Sequence, residues 1–315
     1  MKITVIINPV SGAGGRRGVG VARAELARRA LSEKGLAGDV FVTDGPGHAA
    51  ALATEALGRG AMIVAAWGGD GTVNEVGRAL VGSATALAVV PAGSGNGFAR
   101  ALHVSLDPRE ALEIATRGVT RAIDVGVING HFFFNVAGIG FDAHVARRFN
   151  ETAAGRRGLL PYLKIAMISG IGYRSQRYRI AIQTDPDASA PEVIESRALV
   201  LALANGPQYG YSATIAPRAR LDDGVIDLVV VRSRLLPMDV WRARRLFNGT
   251  IARDRSVSFR TFRRVRIEAP RPMEAHADGE FVEAGTVAEV EVRPAALLVR
   301  MPATEPADTA SDTGR

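Results

Sequence analysis

Two rhythms of apolar and polar positions divide the chain. In the first third, short and largely apolar runs at 3–7, 39–42, 62–66 and 87–90 read as buried strands. Helix-period stretches lie between and after them, at 16–33, 47–57, 74–80 and 96–102. Strand and helix in alternation predict a parallel sheet covered by helices. A further helix begins at Asp107-Pro108-Arg109-Glu110, where Asp caps, Pro takes the first turn and Glu follows three residues after the cap. Near Asp124 the rhythm changes. Residues 124–128 and 131–136, joined by Asn129-Gly130, read as a β-hairpin. Strands follow at 178–184, 194–204, 224–231, 256–268, 273–276 and 288–292, with helices at 161–172 and 237–247.

The expected fold class is α/β plus β: a Rossmann-like parallel sheet with helices, then a mainly antiparallel β-sandwich. The expected domains are a nucleotide-binding unit at 1–128, a β-rich substrate unit at 129–303 and a disordered polar tail at 304–315. No internal repeat is visible.

Ligands of a parallel sheet bind beyond the carboxyl ends of its strands. Asn8, Thr43, Gly68 and Gly93 all fall at such ends, so one crevice can collect them. The sequence WGGDGTVNEV at 67–76 is the most informative of these ends. Gly68, Gly69 and Gly71 let backbone approach a ligand closely, and N–H groups at a helix start attract phosphate. Asp70 among them would repel phosphate unless a cation such as Mg²⁺ bridged the two. A second glycine turn, PAGSGN at 91–96, follows the next strand.

GGDGT with Asn-Glu after it, and then a Ser-Gly-Asn turn, resembles the diacylglycerol kinase catalytic family, which includes bacterial soluble lipid kinases, sphingosine kinases and ceramide kinases. Asn8-Pro9-Val10-Ser11-Gly12, Thr43 to Ala49 (TDGPGHA) and Asp278-Gly279-Glu280 are similar to three further motifs of that family and occur in the family's order. The resemblance implies an ATP- and Mg²⁺-dependent transfer of the γ-phosphoryl group to a lipid hydroxyl, in a cleft between two domains. It places nucleotide against Asn8, Ser11, Gly12, Thr43, Gly68, Gly69, Asp70, Gly71, Thr72, Asn74 and Ser94. Ser94 stands where many relatives carry Thr, and Gly97 where many carry Asp. The resemblance assigns proton acceptance and metal chemistry to Asp278 and Glu280 without dividing the roles. In an extended segment the two would project to one face. Asp142 matches a carboxylate that sphingosine kinases turn toward the lipid headgroup, and Asp124 another near the site. Asp223, with the carbonyls of Arg220 and Val225, matches a structural Mg²⁺ site of bacterial members.

Several assignments have a plainer alternative. Asn8 would make an Asx turn, and Gly12, Gly14 and Gly15 a flexible loop. Asp-Gly at 278–279 would be an exposed hairpin turn. Asp142 would cap a helix at 143–149. Asp124 would sit at a sheet edge, and 220–225 would be a plain loop. The apolar stretch 158–173, preceded by Arg156-Arg157, would be core rather than the lining of a lipid-chain pocket. A dinucleotide fingerprint fails in the first loop because Arg17 occupies the third glycine position, and Gly-Lys-Ser/Thr of a P-loop does not occur. An NAD kinase-like enzyme on a soluble substrate and a non-catalytic lipid or nucleotide sensor are the rival functions. The Ser-Gly-Asn turn and NPVSG oppose the first, and the intact GGDGT and DGE oppose the second.

The 315 residues contain no cysteine, so no disulfide or thiolate metal site. The five histidines show no close metal-ligand spacing, and none is assigned to catalysis. No apolar run reaches the roughly 18–20 residues that span a bilayer, and the N-terminus lacks the shape of a signal peptide. A cytoplasmic, peripherally membrane-associated enzyme is expected. The net charge of +7 is nearly all arginine, with pairs at 147–148, 156–157 and 263–264. It suits anionic lipid surfaces or is a compositional habit. Aromatics at 6% with no basic stripe disfavour nucleic acid. The expected partners are a lipid substrate, transient anionic membrane and a second copy in a homodimer.

Overall fold

The computed structural model describes residues 2–12, 18–152, 158–185, 190–233 and 244–303. The expectations for Gly14, Gly15, Arg17, the 156–157 arginine pair, most of 237–247 and the 304–315 tail lie outside these residues.

The first half is built on parallel strands β1 (Lys2–Ile7), β2 (Ala37–Val42), β3 (Ile63–Gly68) and β4 (Ala86–Pro91), in the order β4-β3-β1-β2. Helices α1 (Val19–Ser32), α2 (His48–Gly58), α3 (Asp70–Leu80), α4 (Gly97–Ala101) and α5 (Pro108–Arg117) connect or follow them. Every residue of β3 and β4 is buried. That explains their unbroken apolar character, since helices cover both faces of a parallel sheet. The cap at α5 forms as the sequence predicts: Asp107 Oδ1 accepts the N–H of Arg109 at 2.8 Å and of Glu110 at 3.2 Å.

The second half is mainly antiparallel. Strand β5 (Val119–Ile128) turns at Asn129-Gly130 into β6 (His131–Phe133). Both turn residues have positive φ, 46° and 82°, as a two-residue hairpin requires. Strand β7 (Val136–Gly140) leads into α6 (Phe141–Thr152) and α7 (Leu159–Gly170). Strands β8 (Gln176–Gln183), β9 (Glu192–Ala204), β10 (Ile226–Arg232), β11 (Val257–Phe262), β12 (Arg264–Glu268), β13 (Glu274–Ala277) and β14 (Glu280–Glu283) complete the layer. The continuous strand expected at 256–268 is two strands, broken at Arg263, which pair with β10 and β8 respectively.

The last strand, β15 (Val287–Met301), departs most from expectation. It runs nine residues beyond the 288–292 read from sequence. Pro294 and Ala295, the latter at φ 50°, interrupt the apolar alternation, and the register with β5 shifts between Arg293 and Leu297. Past that bulge the strand continues on β5 and meets β4 in parallel at Val299–Leu87. Leu297 and Val299 are fully buried in the core of the first half. Strand β15 thus rejoins the sheet that contains β1.

Helix α7 corrects a second expectation. Its apolar sequence predicts core, yet Leu160, Met167 and Ile168 are 79%, 58% and 53% exposed, and Ile171 just beyond it 76%.

Candidate active site

The ends of the parallel strands form a continuous backbone cluster. Asn8 leaves β1 with its N–H on the Trp67 carbonyl at 2.9 Å. Its Nδ2 donates to Thr72 Oγ1 at 2.9 Å, and its Oδ1 accepts the Val10 N–H at 3.0 Å. The Asx turn therefore exists, and it joins the NPVSG loop to the GGDGT loop. Ser11 Oγ donates to the Asn8 carbonyl at 3.0 Å. Arg23, from α1, donates to that carbonyl at 2.7 Å and to Ser11 Oγ at 3.0 Å. Gly12 has φ 69°, and a side chain there would collide with the Ala92 carbonyl oxygen. Thr43 is buried, with its N–H on the Ile7 carbonyl at 2.8 Å. The loop after it is held to α3 by Gly47 N–H donating to Glu75 Oε1 at 3.1 Å.

The two glycine turns lie against each other. Ala92 N–H donates to the Gly68 carbonyl at 2.7 Å, and a Cβ on Gly93 would stand 2.7 Å from Gly69 Cα. Asn96 (φ 50°) closes the second turn by bonding both the N–H and the carbonyl of Gly93, at 2.8 and 2.9 Å. Ser94 is exposed at its tip. Helix α3 begins at Asp70, four residues before the sequence pattern suggested, because glycines hide helical periodicity. The N–H groups of Asp70, Gly71 and Thr72 therefore belong to a helix start, where a partial positive charge gathers.

Asp70 Oδ1 accepts the Phe98 N–H at 3.4 Å, and the backbone N–H groups of Asn96 and Gly97 also pull on its carboxyl. Burial, and then the charge of Asp278, push its carboxyl above the usual range. A half-buried carboxylate whose charge burial and a like-charged neighbour disfavour is a site that a cation would relieve, and oxygen donors suit a hard divalent ion.

Asp278 and Glu280 do not share an extended face. Asp278 (φ 50°) and Gly279 (φ 87°) are the two turn residues between β13 and β14, and Glu280 opens β14. Left-handed backbone at both positions separates the two side chains. Asp278 Oδ1 accepts the N–H groups of Asn135 and Val136, both at 3.0 Å. Its Oδ2 accepts the Phe134 N–H at 2.8 Å and Asn74 Nδ2 at 2.9 Å. Burial pushes this carboxyl up against the opposing pull of those four donors. Asn74 thus joins the GGDGT helix to the DGE turn, across 204 residues of chain. Glu280 is exposed, and its Oε1 would lie 3.1 Å from a Cβ on Gly71.

Asp142 stands in the first turn of α6. Its Oδ2 accepts the Tyr209 hydroxyl at 3.0 Å and faces His276 Nε2 at 3.3 Å, and its Oδ1 accepts the Ala143 N–H at 2.8 Å. Burial and the charge of Asp142 push the Tyr209 phenol well up, so it remains a donor. Aromatic rings wall this side: Phe141 and Tyr173 are 5.0 Å apart, and Phe149 and Tyr162 5.5 Å. Gly97, where many relatives carry Asp, packs on Asn135 and the 209–210 backbone. A Cβ there would meet Asn135 Nδ2 at 2.8 Å and the Gly210 nitrogen at 3.2 Å.

The remaining candidates gather elsewhere. Asp124 is buried, and its Oδ2 and Oδ1 accept the N–H groups of Gly224 at 2.6 Å and Ala295 at 2.8 Å. It clasps the 221–224 loop to the bulge of β15. Asp223 is exposed on that loop, with a weak bond from the Val225 N–H at 3.3 Å. Its carboxyl is raised by burial and by the charges of Asp124 and Asp222. A single carboxylate that neighbouring charges destabilise, on a loop with the Arg220 and Val225 carbonyls, fits a hard cation. Among the described residues no group of three or more His, Cys, Asp or Glu side chains could hold a metal, so such a site would depend on those carbonyls.

Sequence reading missed Arg23, Tyr209 and His276. Arg23 is one of several arginines on α1, and nothing in its spacing marks it. His276, two residues before Asp278, carries no motif spacing of its own.

The profile of the diacylglycerol kinase catalytic domain matches residues 2–128, and that of the YegS C-terminal NAD kinase beta sandwich-like domain matches 135–301. The chain belongs to the diacylglycerol kinase catalytic family. A protein of Pseudomonas aeruginosa (strain UCBPP-PA14) named "Probable lipid kinase YegS-like" is 33% identical over 276 residues, covering 85% of each chain. A protein of the same name from Serratia proteamaculans (strain 568) is 30% identical over 292 residues, 91% of this chain and 92% of its own. A crystal structure of a diacylglycerol kinase from Bacillus anthracis str. Sterne superposes with a TM-score of 0.70 at 20% identity, covering 95% of this chain and 96% of that one, a likeness of fold. As a member of this kinase family the chain combines the expected α/β half with an antiparallel, sandwich-like second half. No helix among its described residues is long and apolar enough to cross a membrane.

Proposed function

We propose that the chain is an ATP-dependent lipid kinase that transfers the γ-phosphoryl group to a lipid hydroxyl. The observation that carries this reading is the meeting of Asn74 with Asp278 and of Gly71 with Glu280, which brings a phosphate-type helix start and a pair of carboxylates into one cleft. Asn8, Ser11, Gly12, Thr43, Ser94 and the 68–74 turn hold the nucleotide, with backbone N–H groups on its phosphates. Mg²⁺, held by Asp70, would offset phosphate charge.

The two DGE carboxylates take different roles. A carboxylate offers about four lone-pair sites, and four donors already occupy those of Asp278. It cannot accept a proton without losing a bond, so it fixes the turn. Glu280 is exposed beside Gly71 and is the proton acceptor. The hydroxyl proton of the lipid passes to the Glu280 carboxylate as its oxygen bonds the γ-phosphorus. The bond from that phosphorus to the β–γ bridging oxygen breaks, and ADP leaves. Asp142 and its aromatic wall face the acceptor side. Asp223 with the Arg220 and Val225 carbonyls would hold a second, structural Mg²⁺.

The enzyme must visit a bilayer. The exposed apolar residues of α7, with Lys164 among them, and the exposed Arg148 of α6 offer a surface for anionic membrane. The decisive experiment incubates the protein with labelled ATP and a total lipid extract. A labelled phospholipid is expected. Label found only on a soluble product would favour an NAD kinase-like activity and overturn the reading.

A further inference from the structure

His276 is buried at 4% exposure on β13 and joins the two carboxylate-bearing regions of the site. Its Nδ1 accepts the N–H of Gly279, inside the Asp278-Gly279 turn, at 3.2 Å. A ring nitrogen that accepts is bare, so the neutral imidazole carries its proton on Nε2. Nε2 faces Asp142 Oδ2 at 3.3 Å and donates to it. Gly138, opposite His276 on β7, makes this meeting possible. A side chain there would collide with Asp142 Oδ2, and its Cβ would lie 2.7 Å from Nε2. Tyr209 donates to the same Oδ2. Three donors thus hold Asp142, two on Oδ2 and the Ala143 N–H on Oδ1. One lone pair of Oδ1 is left for a donor on an acceptor headgroup.

We propose that His276 is a positioning residue that couples the acceptor-side carboxylate Asp142 to the turn that aims Glu280. The inference rests on the lipid-kinase reading of the site and deepens it: an acceptor bearing an O–H or N–H at Asp142 is registered, through one imidazole, at the backbone of the DGE turn. The ring does no proton transfer, because its bare nitrogen is turned to an amide and its protonated one to a carboxylate.

The two ring nitrogens can be tested apart. In His276→Asn the side-chain oxygen can stand in for Nδ1 and keep the Gly279 bond, while the reach to Asp142 is lost. In His276→Gln the side-chain NH₂ can stand in for Nε2 and keep the Asp142 bond, while the Gly279 bond is lost. Steady-state kinetics on vesicle-borne lipid should show a split. His276→Asn should raise KM for lipid roughly tenfold with kcat little changed, and His276→Gln should lower kcat roughly tenfold with KM little changed, the size of one lost hydrogen bond. Affinity for ATP should stay at the wild-type value in both. Nitrogen-15 NMR of the wild-type imidazole should show the proton on Nε2. Identical kinetic losses in the two variants, or no loss in either, would overturn the coupling, as would a proton on Nδ1. If the wild type phosphorylates no lipid, the lipid-kinase reading fails, and the NMR measurement still decides the tautomer and the Gly279 bond. It decides equally if a variant does not fold.

Discussion

Replacing Asp278 by Asn and Glu280 by Gln removes one charge each, yet the consequences should differ in kind. The Asp278 carboxylate holds two donors on each oxygen. An amide keeps one oxygen and presents NH₂ in place of the other. If the NH₂ takes the Oδ1 position, it confronts the N–H groups of Asn135 and Val136. If it takes the Oδ2 position, it confronts the Phe134 N–H and Asn74. Asn74 cannot reverse its own amide to help, because its Oδ1 holds Arg78 Nε at 2.6 Å. Either orientation loses two hydrogen bonds to a charged group, at about 1.5–3 kcal/mol each. Removing a half-buried charge returns part of that, leaving a net loss of about 3 kcal/mol. At about 2–4 °C per kcal/mol for a chain of this order, melting should fall by about 6–12 °C.

Glu280 is exposed, so Glu280→Gln should leave stability within about 0.5 kcal/mol while turnover drops roughly 10²- to 10⁴-fold, the usual range for loss of a general base. The assay is a thermal melt of both variants, with turnover and ATP binding measured below the lower melting temperature. A wild-type melt for Asp278→Asn, or near-normal turnover for Glu280→Gln, would refute the division of roles.

Gly71→Val would bring a branched side chain against Glu280 Oε1 and into the phosphate approach; ATP affinity should fall at least tenfold, about 1.4 kcal/mol, by calorimetry on folded protein. Asp227, whose carboxyl burial and the charge of Asp223 raise to about 6, binds its proton more tightly folded than unfolded. Its contribution to stability is therefore present below the unfolded value of 3.8 and lost as pH rises to about 6. Asp227→Asn should stabilise by about 1 kcal/mol at neutral pH, after discounting solvent screening of a partly exposed group, and by nothing at pH values below the unfolded one. Melting curves at both pH values check it. Asp223→Ala should abolish any rise in melting temperature that Mg²⁺ gives without nucleotide; a wild-type melt insensitive to Mg²⁺ would remove that site. Vesicle co-sedimentation should increase with anionic lipid, weaken as salt shortens the screening length to about 10 Å at 0.1 M, and fall when Leu160 and Ile171 are changed to Glu; equal binding to neutral and anionic vesicles would show the charge to be compositional.

What the sequence made legible was local. The strands β3 and β4 are apolar throughout because they are covered on both faces, and the glycine turns sit where backbone must approach backbone. Asp107 and Asn129-Gly130 announced their cap and turn through chemistry confined to a few neighbouring residues. What was hidden depends on distant partners. The split of 256–268 at Arg263 reflects two different neighbours, β10 and β8, which composition does not name. Asp278 and Glu280 looked equivalent because DGE says nothing about four donors arriving from residues 74 and 134–136. His276 was invisible for the same reason: its partners are Asp142 on another element and an amide. The exposed face of α7 escaped because an apolar helix reads as core whether or not anything covers it.

The route of β15 has an effect on how the protein is made. Leu297 and Val299 complete the first apolar core, and Asp124 holds the bulge at Ala295 that directs them there. A chain emerging amino end first therefore exposes an unfinished edge beside β4 until residues 297–299 are synthesised. The glycine turns, though encoded early, rest on a sheet that closes only when β15 is in place. A chain that stops short of β15 should hold them loosely, so that the proposed nucleotide capture waits for that strand. Ribosome-stalled chains ending before residue 295 should show little ATP binding, and chains extended past Met301 by a linker should show the full amount.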